Sequence, residues 1–211
     1  MAVELTALAM MQDAPVIPVI VLDKVEHAVP MARALVAGGI RVLEVTLRTP
    51  QGLDCIAAIA KSVPEAIVGA GTVRNAADAR AAQAAGARFA VSPGYIGALG
   101  QACRDLRLPL LPGVATSSEI MAAQADGFSE LKFFPAMQAG GPSMLKAWQG
   151  PFGDVRFCPT GGISPANAAD FLSLKNVVCV GGSWLLPASA LERGDWAHIT
   201  ALAREAVALR G

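Results

Sequence analysis

Lys132 stands in Glu130-Leu131-Lys132-Phe133-Phe134-Pro135-Ala136, where one cationic side chain interrupts a strand-like apolar run. An ammonium taken into low dielectric without a partner tends to lose its proton, and a neutral lysine in a dry pocket attacks carbonyls. The other lysines, Lys24, Lys61, Lys146 and Lys175, fall in polar or helical stretches where a solvated role suffices. A snorkelling or ion-paired strand lysine is the competing reading of Lys132, because long charged stems do cross apolar surface.

A second segment carries a carboxylate and a guanidinium. In Arg41-Val42-Leu43-Glu44-Val45-Thr46-Leu47-Arg48, strand alternation puts Leu43, Val45 and Leu47 on one face and Glu44, Thr46 and Arg48 on the other. If the apolar face packs against helices, the polar face looks inward. The same alternation pairs Lys132 with Phe134 on one face, opposite Leu131 and Phe133. An inward amine and an inward carboxylate on different strands could add to a carbonyl and shuttle protons. As an internal salt bridge alone they would stabilise little.

The third feature is a pair of glycine-rich ends, Pro159-Thr160-Gly161-Gly162-Ile163-Ser164 and Val180-Gly181-Gly182-Ser183-Trp184. Glycines let backbone N–H groups approach an anion, a following helix adds positive potential, and Ser183 can donate a hydroxyl. One double glycine is usually only a turn. Two of them, each after one of the last two strands of a repeating pattern, point to a phosphate.

These groups need elements to hold them. Apolar or β-branched runs at Val16–Leu22, Arg41–Leu47, Ala66–Thr72, Arg88–Ser92, Pro109–Gly113, Ser129–Phe134, Val155–Thr160 and Val177–Gly181 read as eight strands. Helical spacing fills Val25–Ala37, Gln51–Ser62, Asn75–Ala85, Gly97–Asp105, Ser117–Ala125 and Pro165–Leu174. Asn75, Ser117 and Ser164 stand where N-caps belong, and Gly38-Gly39, Pro64, Gly86 and Gly127 where helices stop. The repeated βα unit predicts a single-domain α/β chain, a (β/α)8 TIM barrel over residues 1–211, with 1–14 as an N-terminal helical extension. An open doubly wound sheet is the alternative, but no Gly-x-Gly-x-x-Gly follows the first strand.

Composition narrows the partners. The chain has 211 residues, formal net charge zero and a pI near 6.7, which favours neither nucleic acid nor a membrane surface. No early basic residue and no span-length apolar stretch marks the N-terminus, so a soluble, cytoplasmic protein is expected. Cys55, Cys103, Cys158 and Cys179 lack the paired spacing of a zinc site or a disulfide framework. A metal-dependent enzyme would need a histidine and carboxylate cluster, yet His27 and His198 are the only histidines and fall in helical segments. No metal or other cofactor is therefore expected.

Six segments then become recognisable together. Glu44-Val45-Thr46-Leu47-Arg48-Thr49, Gly69-Ala70-Gly71-Thr72-Val73, Val91-Ser92-Pro93-Gly94, Leu111-Pro112-Gly113-Val114, Leu131 to Ala136 and Pro159 to Asn167 occur in the order and at the strand ends seen in one family. The chain, from about Val16 to its C-terminus, resembles the 2-keto-3-deoxy-6-phosphogluconate (KDPG) and 4-hydroxy-2-oxoglutarate (KHG) aldolases. The resemblance implies a cytoplasmic homotrimeric barrel and a metal-independent Schiff-base cleavage of small 2-keto acids in the Entner-Doudoroff pathway.

It also implies roles. Lys132 would form the iminium and Glu44 would be the general acid/base. Arg48 and Thr72 would clamp the substrate carboxylate, Pro93 would shape the nearby wall, and Phe134 would pack on the substrate chain. Gly161, Gly162, Gly182 and Ser183 would hold the phosphate. The related 6-phosphogalactonate aldolases usually carry an aliphatic residue before the double glycine, so Thr160 favours the gluconate epimer. A barrel phosphosugar isomerase and a non-catalytic phosphosugar-binding barrel are the readings from other classes, and neither needs an amine at Lys132.

Overall fold

In the computed structural model, which describes residues 5–210, the chain forms nine short strands. They are β1 (Val16–Ile20), β2 (Val42–Thr46), β3 (Ile67–Gly71), β4 (Ala90–Val91), β5 (Leu110–Leu111), β6 (Gly113–Val114), β7 (Glu130–Phe133), β8 (Arg156–Pro159) and β9 (Val180–Gly182). β5 and β6 flank Pro112, which has no N–H to give a ladder, so one barrel strand is interrupted there. Pairing is parallel throughout, in the orders β5-β4-β3-β2-β1-β9 and β6-β7-β8. Parallel bridges from Phe157 to Val177 and from Thr160 to Gly181 join β8 to the β9 segment and close the ring. The expected (β/α)8 barrel is what forms.

Side-chain alternation divides the core in two, as the strand pattern requires. Leu43, Val45, Leu131, Phe133 and Phe157 belong to the layer between strands and helices. Trp148 packs there on both phenylalanines, edge-on to Phe133 and stacked on Phe157. Ile17, Val42, Phe89, Val91, Leu111, Cys158 and Cys179 form the second cluster, together with Met10 and Met11 of α1 (Ala7–Asp13). Those methionines seal the barrel at the end where β1 and β2 begin. Residues 1–4 of the expected 1–14 extension lie outside the described residues.

Around the strands run α2 (Ala28–Ala37), α3 (Gly52–Ser62), α4 (Ala76–Ala84), α5 (Gly97–Asp105), α6 (Ser117–Ala125), α7 (Gly141–Trp148), α8 (Ala168–Leu172), α9 (Ala188–Arg193) and α10 (Trp196–Val207). Asn75 caps α4 as expected, its side chain accepting from Asp78 N. Two caps differ from expectation. Thr116, not Ser117, caps α6: its hydroxyl accepts from Glu119 N while Glu119 Oε2 accepts from Thr116 N, a reciprocal box that Ser117 cannot form. The Ser117 hydroxyl accepts from Trp148 Nε1 instead, linking α6 to α7. Ser164 does not cap α8 either. Asn167 holds the cap position, and its Oδ1 accepts from Ser164 N at 2.8 Å, so the chain turns first and the helix starts only at Ala168.

Candidate active site

The C-terminal ends of the strands gather the polar residues. Glu44 and Lys132 both point into the barrel, and Lys132 Nζ donates to Glu44 Oε1 at 3.2 Å. Both side chains are nearly sealed from solvent, 4% and 3% exposed respectively. A charge pair this deep stabilises the fold poorly compared with apolar packing of the same volume, which makes reactivity its better explanation. Gly71 makes room for it. A Cβ there would fall 2.3 Å from Glu44 Oε1, so the carboxylate occupies the place a side chain on β3 would need.

The other predicted residues surround this pair. The Phe134 ring centre lies 5.2 Å from Lys132 Nζ, a cation–π distance. Pro93 packs over Gly113, the register partner of Lys132, with its carbonyl carbon 2.4 Å from where a Gly113 Cβ would be. Thr160 is buried on the β8 side and bridges to Gly181; its Oγ1 has only long contacts to Cys158, 3.4 Å to the carbonyl oxygen and 3.9 Å to Sγ. That hydroxyl keeps its capacity for a ligand.

Arg48 is exposed at the mouth, and its Nε donates to Thr72 Oγ1 at 3.1 Å. Thr72 is in the left-handed region at φ 61°, unfavourable for a β-branched residue. Strain of this kind persists where the surroundings over-determine it, and here it holds the hydroxyl against Arg48. Among the described residues Arg48 has no carboxylate partner, so its fork faces the mouth without a counter-charge.

Arg48, Phe134, Thr160, Gly161, Gly162, Gly182 and Ser183 share the lining of one cavity of about 130 Å³. Lys132 and Glu44 are not part of that lining, and Lys132 adjoins it through the Phe134 ring. Gly161 and Gly162 both have positive φ, at 102° and 74°, which turns the backbone at the rim as other residues would not. The expectation that each glycine end opens into a helix is not met: α8 starts only at Ala168 and α9 only at Ala188, with turns in between. An anion here would rely on backbone and the exposed Ser183 rather than on an adjoining helix end.

Ile163 and Gly181, from the two glycine-rich ends, also line the cavity, as do Val19 and Val21, which were not anticipated. Val19 lies in β1 and Val21 just past its end, and counting inward positions along the strand would have found both. A larger hollow of about 670 Å³ near Gln12, Leu172 and Leu209 contains no comparable amine and carboxylate pair.

A closed parallel barrel with a buried amine–carboxylate pair behind a cationic mouth defines the class of barrel aldolases. The family model described as KDPG and KHG aldolase matches residues 8–202, and the chain belongs to that family, a family of carbon–carbon lyases. It is 59% identical to the KHG/KDPG aldolase of Escherichia coli K12 over 202 residues, covering 96% of this chain and 95% of that protein. Among solved structures, KDPG aldolase from Legionella pneumophila, with pyruvate captured as a covalent carbinolamine, aligns with a TM-score of 0.93 at 47% identity, covering 95% of this chain and 97% of that one. The Zymomonas mobilis ZM4 enzyme with 3-phosphoglycerate aligns with a TM-score of 0.91 at 49% identity, covering 95% and 94%.

Proposed function

We propose that this chain cleaves 2-keto-3-deoxy-6-phosphogluconate to pyruvate and glyceraldehyde 3-phosphate through a Schiff base on Lys132, and cleaves 4-hydroxy-2-oxoglutarate to pyruvate and glyoxylate at the same site. The observation that carries the reading is the 3.2 Å contact between Lys132 Nζ and Glu44 Oε1 in a buried setting. The carbinolamine captured in the Legionella relative is the adduct such an amine would form first.

In its neutral form the Lys132 amine adds to the C2 ketone, and the Glu44 carboxyl gives a proton to the carbinolamine hydroxyl, which leaves as water to give an iminium and the Glu44 carboxylate. Glu44 then accepts the C4 hydroxyl proton as the bond between C3 and C4 breaks. The electron pair of that bond moves into the iminium, leaving an enamine, and the aldehyde departs. Glu44 returns the proton to C3 and water hydrolyses the pyruvate iminium, which restores the amine. Arg48, held by Thr72, grips the carboxylate next to C2. The Gly161-Gly162 and Gly182-Ser183 rim receives the phosphate end of the longer substrate.

Thr160 supports the gluconate epimer over 6-phosphogalactonate, since its hydroxyl is under-used by the protein. An isomerase would share the glycine rim but has no use for the buried amine. We also infer a cytoplasmic homotrimer. Exposed Ile96, Met121 and Met137 supply apolar surface for self-association, and light scattering of the purified protein would read the trimer directly. Among the described residues no helix is long and apolar enough to cross a membrane.

The test is reductive trapping. Pyruvate with borohydride should add a pyruvate-derived mass to the peptide containing Lys132 and inactivate the enzyme, while EDTA leaves turnover unchanged. Active protein that never acquires the adduct would overturn the Schiff-base assignment.

A further inference from the structure

Thr46 is fully buried, and its Oγ1 has no hydrogen-bond partner. Buried hydroxyls are normally satisfied, so an orphan inside an active site calls for a physical reason. Its surroundings provide one. Thr46 follows Glu44 on the inward face of β2 and pairs in register with Gly71 on β3. Neighbouring strands run about 4.8 Å apart. Because a Gly71 Cβ would lie 2.3 Å from Glu44 Oε1, the Glu44 carboxylate has reached forward to the level of Thr46. The Thr46 side chain and the Glu44 carboxylate therefore occupy the same level of neighbouring strands without a hydrogen bond between them, the carboxylate being turned to Lys132 instead.

We propose that Thr46 is a positioning residue for Glu44, donating to its carboxylate during the part of the cycle in which Lys132 is an iminium. The inference rests on the Schiff-base reading above. A lysine ammonium has three N–H donors, whereas the protonated imine keeps one, fixed in the plane of the new double bond. Two of the three donors that can turn to Glu44 are thus gone when it takes the C4 hydroxyl proton and later returns a proton to the enamine, and the one that remains is held in the plane of the former carbonyl. Rotation of the Thr46 hydroxyl between staggered wells, with a small swing of the Glu44 side chain, supplies a replacement without backbone movement. Thr46 touches neither C3 nor C4 and exchanges no proton with substrate; it orients the group that does.

Thr46→Val keeps the shape and removes the hydroxyl, while Thr46→Ser keeps the hydroxyl. General acid–base steps contribute 10²- to 10⁴-fold, so losing the orientation of one should lower kcat of Thr46→Val about tenfold with KM little changed. Deuterium exchange into the pyruvate methyl group, which reports Glu44 at the enamine, should fall by the same factor. Thr46→Ser should recover both rates. The melting temperature of Thr46→Val should equal or exceed that of the parent, because an unsatisfied buried hydroxyl is gone, which separates the effect from unfolding. Should Thr46→Val not fold, Thr46→Ala must show the same paired losses. Unchanged kcat and exchange in the hydroxyl-free variant, or a serine variant as slow as the valine one, overturns the proposal. Absence of a borohydride adduct on the parent enzyme would instead remove the Schiff-base reading on which it stands.

Discussion

Lys132 and Glu44 meet across the full width of the barrel. With β5 and β6 counted as one interrupted strand, Glu44 lies on the second strand of the closed ring and Lys132 on the sixth, diametrically opposite. Their 3.2 Å contact crosses the barrel axis, so a ketone condensed on Lys132 must form within reach of the Glu44 carboxyl. Proximity of this sort replaces a bimolecular proton transfer with one inside a single cage.

Glu44→Gln preserves the volume over Gly71 and can still accept from Lys132, but it cannot take a proton. The expected result is a 10²- to 10⁴-fold loss in kcat for KDPG cleavage, the usual contribution of general acid–base catalysis, with the fold intact by circular dichroism. Hydrogen exchange at the pyruvate methyl group should fall with it. Parent-like exchange in this variant would assign proton transfer to another group.

Arg48→Lys keeps the charge and loses the planar fork. If Arg48 grips the substrate carboxylate, the point charge of lysine should raise KM for both keto acids by about 10- to 100-fold, as loss of a charge-assisted hydrogen bond worth about 1.5–3 kcal/mol implies. Thr72→Ala, which removes the hydroxyl that holds Arg48 Nε, should move KM in the same direction by less. Steady-state kinetics with KDPG and with 4-hydroxy-2-oxoglutarate would decide; an unchanged KM for both places the carboxylate elsewhere.

Much of this site was legible because a strand has a period of two. Once Leu43 and Val45 face the helices, Glu44 has nowhere to point but inward, Arg48 comes out at the mouth past the strand end, and Lys132 follows by the same rule as Glu44. What stayed hidden depends on neighbours across the ladder. Nothing in Gly69-Ala70-Gly71 says that a carboxylate from β2 fills the space above Gly71, because that follows from register. The Thr116 cap was readable in principle: Thr116-Ser117-Ser118-Glu119 is a capping-box spelling, and Ser117 was one residue too far along. Helix α7 was not anticipated, since Gly140, Gly141 and Pro142 look like loop. The first two adopt positive φ and Pro142 fits the first turn, so these residues launch the helix.

Thr160→Val tests epimer choice. The hydroxyl makes only long contacts, to Cys158 O and Cys158 Sγ, and replacing it with a methyl leaves the volume nearly unchanged. A site that hydrogen-bonds one C4 epimer penalises its loss, so the ratio of kcat/KM for the gluconate over the galactonate substrate should drop by about tenfold or more. An unchanged ratio would mean that Thr160 does not read C4.

Tyr95 offers a pH-dependent check on the loop that carries Pro93. Its hydroxyl donates to the Asp126 carboxylate just past α6, and its ring meets Phe128 edge-on. Burial, then the Asp126 hydrogen bond and charge, push its pKa from 10.0 up to about 12, against a lowering by Arg104. The folded state therefore holds this proton more tightly than the unfolded chain. Its contribution to stability is complete below pH 10 and is lost as pH rises from there through about 12. Tyr95 is the only tyrosine in the chain, so absorbance near 295 nm titrates this group alone. The native midpoint should lie near 12 and that in urea near 10. Asp126→Asn should bring the native value partway down, because burial remains when the carboxylate is gone. A native midpoint already at 10 would mean that Tyr95 does not tie the Pro93 loop to the end of α6 in solution.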